Sequence, residues 1–134
     1  YLVEDSDTLR LMAATPPLPP DLPDFIRAAR LENHLHIARA IDSGAPLYIQ
    51  DTEEEDFTDE EAAIVRDRNL RSILYLPLYF DNSAIGILIT GSAVPVQLKD
   101  HTIQSCVSLG NIASMTISNA RMYQRYKERA ESVK

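Results

Sequence analysis

The sequence offers a single thiol, Cys106. A disulfide within the chain needs two, and a cysteine-based metal site needs more, so both are excluded. One unpaired thiol in an apolar run fits a reducing compartment, and a cytoplasmic location is expected. Basic charge is scarce as well: 13 Lys and Arg stand against 20 Asp and Glu, a formal net charge of −7. Phosphate backbones and anionic membrane surfaces both call for concentrated Lys and Arg, so neither nucleic acid nor direct membrane contact is expected. No apolar run approaches the length of a membrane span, and none has the form of a signal peptide. The sequence has no glycine-rich phosphate loop, no nucleophile motif and no specified carboxylate pair. It therefore points to no enzyme, and it names no cofactor.

What is there suits one globular domain: 134 residues, 45% hydrophobic and 25% charged. The chain starts at Tyr1 inside what reads as a strand and stops at Lys134 inside a polar helix. It is expected to be a piece of a longer protein.

Tyr1-Leu-Val-Glu and Thr8-Leu-Arg-Leu-Met-Ala flank the polar Asp5-Ser6-Asp7, which reads as a hairpin. Thr15 to Pro23, TPPLPPDLP, is extended because proline fixes φ and lacks a donor. It reads as a rigid connection rather than as a PxxP ligand. Phe25, Ile26, Ala29, Leu35, Ile37, Ala38 and Ile41 follow helical spacing over Asp24 to Ala40, with Asn33 splitting the run into two helices and Ser43-Gly44 ending the second. Ala45 to Gln50 is a short strand with Leu47 and Ile49 on one face and Tyr48 on the other.

Eight carboxylates fall between Asp51 and Glu61. Thr58-Asp-Glu-Glu61 has the form of a capping box, which starts a helix running to about Asp67 and sets acids at its positive end. Ser72 to Phe80 and Ala84 to Thr90 are apolar on both faces, as strands inside a sheet are. Asp81-Asn82 joins them in a tight turn. Pro77 conflicts with a central strand, and a bulge or a gap in the ladder is expected there.

Leu98 to Lys134 forms a long helix with two apolar stripes. Ile103, Cys106, Leu109, Gly110, Ala113, Ile117 and Ala120 make one, rich in small residues suited to packing on a sheet. Ile112, Met115, Asn119, Met122, Tyr126 and Val133 make the other, at steps of three and four. Two apolar faces need two partners, so a homodimer through the second stripe is expected. Asn119 would fix its register.

The combination resembles a GAF domain, the small-molecule-sensing module of signalling proteins. Gly44-Ala-Pro-Leu is similar to the family's entry to its third strand, and Asp51 to the aspartate after it. Leu70-Arg-Ser-Ile-Leu-Tyr-Leu-Pro-Leu resembles its RS-x-L-x-x-P-L strand, Ile85-Gly-Ile-Leu its return strand, and Asn119-Ala-Arg-Met-Tyr its helix ending. The resemblance covers nearly the whole chain apart from the family's first helix. It implies an α+β, PAS-like fold: an antiparallel sheet of five to six strands, order 2-1-5-4-3, with helices on one face and a long C-terminal helix on the other. It further implies a GAF domain over residues 1–122, with 123–134 beginning a signalling helix toward an output module.

The implied function is that of a small-molecule-sensing, dimerising regulatory domain of a bacterial sensor histidine kinase or diguanylate cyclase. The alternative is a ligand-free dimerisation module. Departures narrow the choice. The one cysteine lies on the last helix, facing the sheet rather than a pigment site, and the cyclic-nucleotide signature is not met at Phe57-Thr-Asp-Glu. The ligand space that the family implies would be lined by His36, Tyr48, Gln50, Asp51, Ile64 and Tyr75, with the alternative that these fill the core. His34 and His36, two apart, are no ready metal pair and read as helix-face histidines, and His101 reads as surface. Glu53 to Asp56 lacks the spacing of a calcium loop and reads as a solvated, mobile loop, which the resemblance implies lies over the ligand space with a gating role.

Overall fold

The computed structural model describes residues 1–23 and 27–132. Leu2–Val3 (β1) and Thr8–Arg10 (β2) form the first hairpin, pairing Leu2 with Arg10 and Val3 with Leu9. Ala28–Arg30 (β3) adds to the far edge of β2, with Ala29 opposite Leu9. A 3-10 turn over Leu31–Asn33 leads into the helix Leu35–Ser43 (α1), which ends on Gly44 at φ 67°, a left-handed cap that glycine adopts without strain. Leu47–Ile49 (β4), a 3-10 turn over Thr52–Glu54 and the helix Asp59–Asp67 (α2) follow. Ser72–Phe80 (β5) and Ser83–Ser92 (β6) make the long hairpin, and Asp100–Ser132 (α3) is the last helix, about 50 Å long.

The sheet is antiparallel, six-stranded and ordered β3-β2-β1-β6-β5-β4. The expected order of five strands is present within it, with one strand more at the β2 edge. That strand corrects the first of the two helices expected over Asp24 to Ala40. Ala28 and Ala29 favour a helix locally, but β2 needs a partner and Ala29 is fully buried in the core, so the ladder overrides propensity. Asp24, Phe25 and Ile26, which carry the rest of that expectation, lie outside the described residues.

β5 and β6 are interior strands. Ile73 and Tyr75 of β5 join Leu9, Ile37, Ala40, Ile49 and Ile87 in the core beside α1. Leu74, Leu76 and Leu78 alternate to the other face, where α3 packs on β5 and Gly110 lies close to Leu78. β6 is covered on one side only along part of its length. Ile87 is buried, but Leu88, on the α3 side, is 45% exposed, because α3 crosses β5 and leaves β6 open. Asp81 and Asn82 both take positive φ, 53° and 62°, as a two-residue hairpin turn requires. The register slips between Leu78 and Tyr79, one pair beyond Pro77. Pro77 has no N–H for the ladder, and the bulge follows at once. Gly86 is needed for a different reason: a side chain there would collide with the Tyr1 carbonyl as β1 docks on β6.

On α3 the residues buried against the sheet are Gly110, Ser114 and Ser118, with Ile103, Cys106, Ala113 and Ile117 partly covered. Leu109, at 65% exposure, and Ala120 turn away from it, which corrects their place on the sheet-facing stripe. Serine fills this seam because its hydroxyl bonds back into the helix: Ser114 Oγ donates to the Gly110 carbonyl at 2.9 Å.

Candidate functional site

A cavity of about 870 Å³ lies between the sheet, α1, α2 and the segment after β2. Ile37 of α1, Ile64 and Val65 of α2, and Ile73, Ile87 and Ile89 of the sheet give it an aliphatic wall, with Tyr1 and Tyr75 as its aromatics. Leu11, Pro16 and Leu18 close the other side. The proline-rich segment is held there by Arg68, whose guanidinium donates to the Thr15 and Pro16 carbonyls, each at 3.3 Å. His34, Glu61, Asp67, Arg68 and Asn69 are polar residues of its lining on the α1 and α2 side.

Two of the six expected ligand residues, Ile64 and Tyr75, line this cavity. His36 stands behind it, against Tyr75 and Glu61. The other three do not line it. Tyr48 alternates to the opposite face of β4 from Leu47 and Ile49, paired with Leu74 on the α3 side, and its hydroxyl is buried without a hydrogen-bond partner. Gln50 is exposed, and its carbonyl accepts from Ser72 Oγ. Asp51 caps the next 3-10 turn, accepting from the Glu53 amide at 3.0 Å, and pairs with Arg71 at 3.2 Å. The Glu53 amide, with Arg71 beside it, holds the Asp51 carboxyl below the usual carboxylate range.

The histidines do lie at the start of α1, His34 as its N-cap and His36 in its first turn, but they are buried with partners. His34 and His36 are each 2% exposed. The His36 backbone N–H donates to Glu61 Oε2 at 3.1 Å, and its Nδ1 lies 2.7 Å from the same oxygen. Its Nε2 lies 3.0 Å from Glu55 Oε1. The ring sits between Phe57, tilted with centroids 4.8 Å apart, and Tyr75, stacked at 5.9 Å. His34 Nε2 lies 3.2 Å from Glu60 Oε2. Burial pushes the His34 imidazole down, against the pull of Glu60 and Glu61.

Glu61 is the hinge of the group. The capping box forms as expected: Thr58 Oγ1 accepts from the Glu61 amide at 3.2 Å, and Glu61 Oε1 accepts from the Thr58 amide at 2.9 Å. Burial works to raise the Glu61 carboxyl, yet the amides of Thr58 and His36 and the His36 ring together hold it below the usual value. The Tyr75 phenol is pushed up by burial first, and by the charges of Glu61 and Glu55 next, so it stays neutral. Glu53 to Asp56 are exposed, as a solvated loop is, but the segment is tied down at several points. Asp51 and Arg71 fix one end, Thr52 Oγ1 donates to the Leu70 carbonyl at 2.8 Å, and Glu55 meets His36 at the other. No local signal in the sequence marks His36, because its partners lie 19 and 25 residues away.

Among the described residues no group of three or more His, Cys, Asp or Glu is arranged to hold a metal. No helix among them is long and apolar enough to cross a membrane. Cys106, on α3, is partly buried and apart from the cavity.

Residues 4–117 match the GAF domain family. The chain belongs to it. The GAF domain of a two-component sensor histidine kinase from Bacillus halodurans superposes with a TM-score of 0.72 at 21% identity, covering 92% of this chain and 82% of that one. A domain of a putative two-component sensor histidine kinase from Sinorhizobium meliloti gives 0.65 at 19% identity, covering 96% and 81%. The free methionine-R-sulfoxide reductase of Neisseria meningitidis, solved with its substrate, gives 0.68 at 22% identity, covering 92% and 67%. No curated protein matches the chain. At these identities the likeness is one of fold. The GAF fold here is the α+β sheet with helices on one face and the long helix on the other. The same fold serves signalling domains and, in the Neisseria protein, an enzyme.

Proposed function

We propose that this GAF domain is a small-molecule-sensing, dimerising regulatory domain of a bacterial signalling protein, of sensor histidine kinase or diguanylate cyclase type. It passes ligand state to an output module through α3 and is not itself an enzyme. The observation that carries this reading is the position of β5. Ile73 and Tyr75 face the cavity and the core beside it, while Leu74, Leu76 and Leu78 lie under α3. A ligand that moves Tyr75 or Ile64 therefore acts on the strand that carries the output helix. Residues 1–122 form the sensing unit, and 123–134 begin the signalling helix.

The lining favours an apolar ligand. Among the described residues its one lining Lys or Arg, Arg68, is engaged with the Thr15 and Pro16 carbonyls, which leaves little to hold a phosphate. Ile64 and Tyr75 are the contacts assigned to the ligand, with His36 supporting Tyr75 from behind. Tyr48, Gln50 and Asp51 act instead in fixing β4 and the turn after it.

The outer face of α3 supports a homodimer. Ile112, Met115, Met122 and Tyr126 are 59%, 56%, 52% and 74% exposed, and Asn119 is exposed among them. Ile112, Met115, Asn119, Met122 and Tyr126 follow one another at alternating steps of three and four, the spacing of a two-helix seam. Val133 would continue it but lies outside the described residues. The same stripe favours the second reading, a dimerisation module with no ligand. The two are separated by a thermal-denaturation screen of apolar small molecules against the wild type and Ile64→Trp. The sensing reading expects a compound that raises the melting temperature of the wild type alone. The scaffold reading expects none.

A further inference from the structure

His36 is held in a way that only one of its protonation states satisfies. Both ring nitrogens face carboxylate oxygens, Glu61 Oε2 at 2.7 Å and Glu55 Oε1 at 3.0 Å. An ionised carboxylate only accepts, and a neutral imidazole has a single N–H. Both contacts are hydrogen bonds only when the ring carries two protons. Its surroundings suit that cation. Phe57 and Tyr75 present their rings to it, and Tyr75 stays neutral, so it brings no further negative charge to compete with the carboxylates for the ring's protons.

The two carboxylates differ in what they do when a proton leaves. The Glu61 side chain is 5% exposed and has no water to turn to, so it retains the Nδ1 proton. The Glu55 side chain is 36% exposed and can reach solvent. The remaining charged groups beside the ring are Glu60 on α2 and His34 ahead of α1, which face each other at 3.2 Å. Neither is a hydrogen-bond partner of the ring.

We propose that His36 is a proton-operated latch. The doubly protonated ring fastens the acid segment 52–58, through Glu55, to α1 and α2. Loss of the Nε2 proton sets a ring lone pair against the Glu55 carboxylate and releases the segment. The latch rests on its own geometry and not on the sensing reading. Glu61 and Tyr75 are shared between the latch and the cavity wall, so proton concentration becomes a second input to the same fold.

The test follows the ring and the segment together, in the full chain, from about pH 5.5 to about pH 8.5, the range in which histidine titrates. Long-range nitrogen–proton correlation spectra read the His36 ring, and amide hydrogen exchange, corrected for its intrinsic pH dependence, reads residues 52–58. The wild type is expected to pass from two protonated ring nitrogens to the Nδ1–H tautomer. Exchange in the segment is expected to rise several-fold over the same titration. Glu55→Ala should leave the segment open at every pH while β5 amides stay protected. Glu55→Gln should leave it closed at every pH, since the amide can donate to a bare Nε2 as well as accept from a protonated one. A His36 ring with one proton throughout overturns the proposal. So does a pH step that persists in both Glu55 variants, which would assign it to His34 and Glu60.

Discussion

Tyr75 and Leu74, consecutive in β5, face opposite layers of the protein. Tyr75 closes the cavity beside Ile64, and Leu74 is buried on the side that α3 covers. One strand thus joins the space where a ligand would sit to the helix that would report it.

Filling the cavity separates sensing from folding. Ile64 is partly exposed on α2, so Ile64→Trp has room to turn its ring into the cavity. Its unfolding free energy is expected to stay within about 1 kcal/mol of wild type. Any thermal shift by an apolar compound should vanish. Urea denaturation and the compound screen check the two halves independently.

The capping box has a measurable cost of removal. Thr58→Ala deletes the acceptor for the Glu61 amide and also the hydroxyl that donates to the Asn33 carbonyl. A loss of about 1–2 kcal/mol is expected in chemical denaturation. The Glu61 carboxylate is then less firmly aimed at His36, so the His36 ring signals should broaden or shift.

Acid should weaken the fold in two stages. Burial lowers the His34 imidazole from its ordinary value of 6.5, so the unfolded chain takes up that proton more readily. The stability held by neutral His34 is complete above 6.5 and is lost as pH falls below it. Glu61 is held below its ordinary value of 4.5. Its contribution is complete above 4.5 and is lost as pH falls through the depressed folded value. His34→Gln should remove the first stage and keep the second, read as the difference in urea midpoint from wild type across pH.

The outer stripe of α3 is expected to govern assembly alone. Ile112 is 59% exposed on the single chain, so Ile112→Glu should change subunit stability by no more than about 0.5 kcal/mol. It should convert a dimeric solution mass to a monomeric one by light scattering. Asn119→Leu should instead tighten the dimer and loosen its register, seen as cross-linking between cysteines at unmatched positions.

Most of the fold was legible because its signals are local. Strands apolar on both faces announced β5 and β6, Pro77 announced an irregularity that appears one pair later, and Thr58 with Glu61 announced the start of α2. What was not legible depends on partners distant in sequence. Ala28 and Ala29 read as helix until β2 claims them. Ser114 and Ser118 belong to neither apolar stripe of the sequence, yet the sheet buries them. His34 and His36 read as helix-face histidines without partners until α2 and the acid segment fold over them. For the cavity, the alternation of β4 separated Tyr48 from Tyr75, although both are aromatic residues on neighbouring strands.

The central claim is that the space between Ile64 and Tyr75 is a ligand site, and electron density there tests it most directly. The account expects an ordered small molecule in contact with both side chains in crystals of the protein purified without refolding. Density for solvent alone, or side chains collapsed across the space, would contradict it.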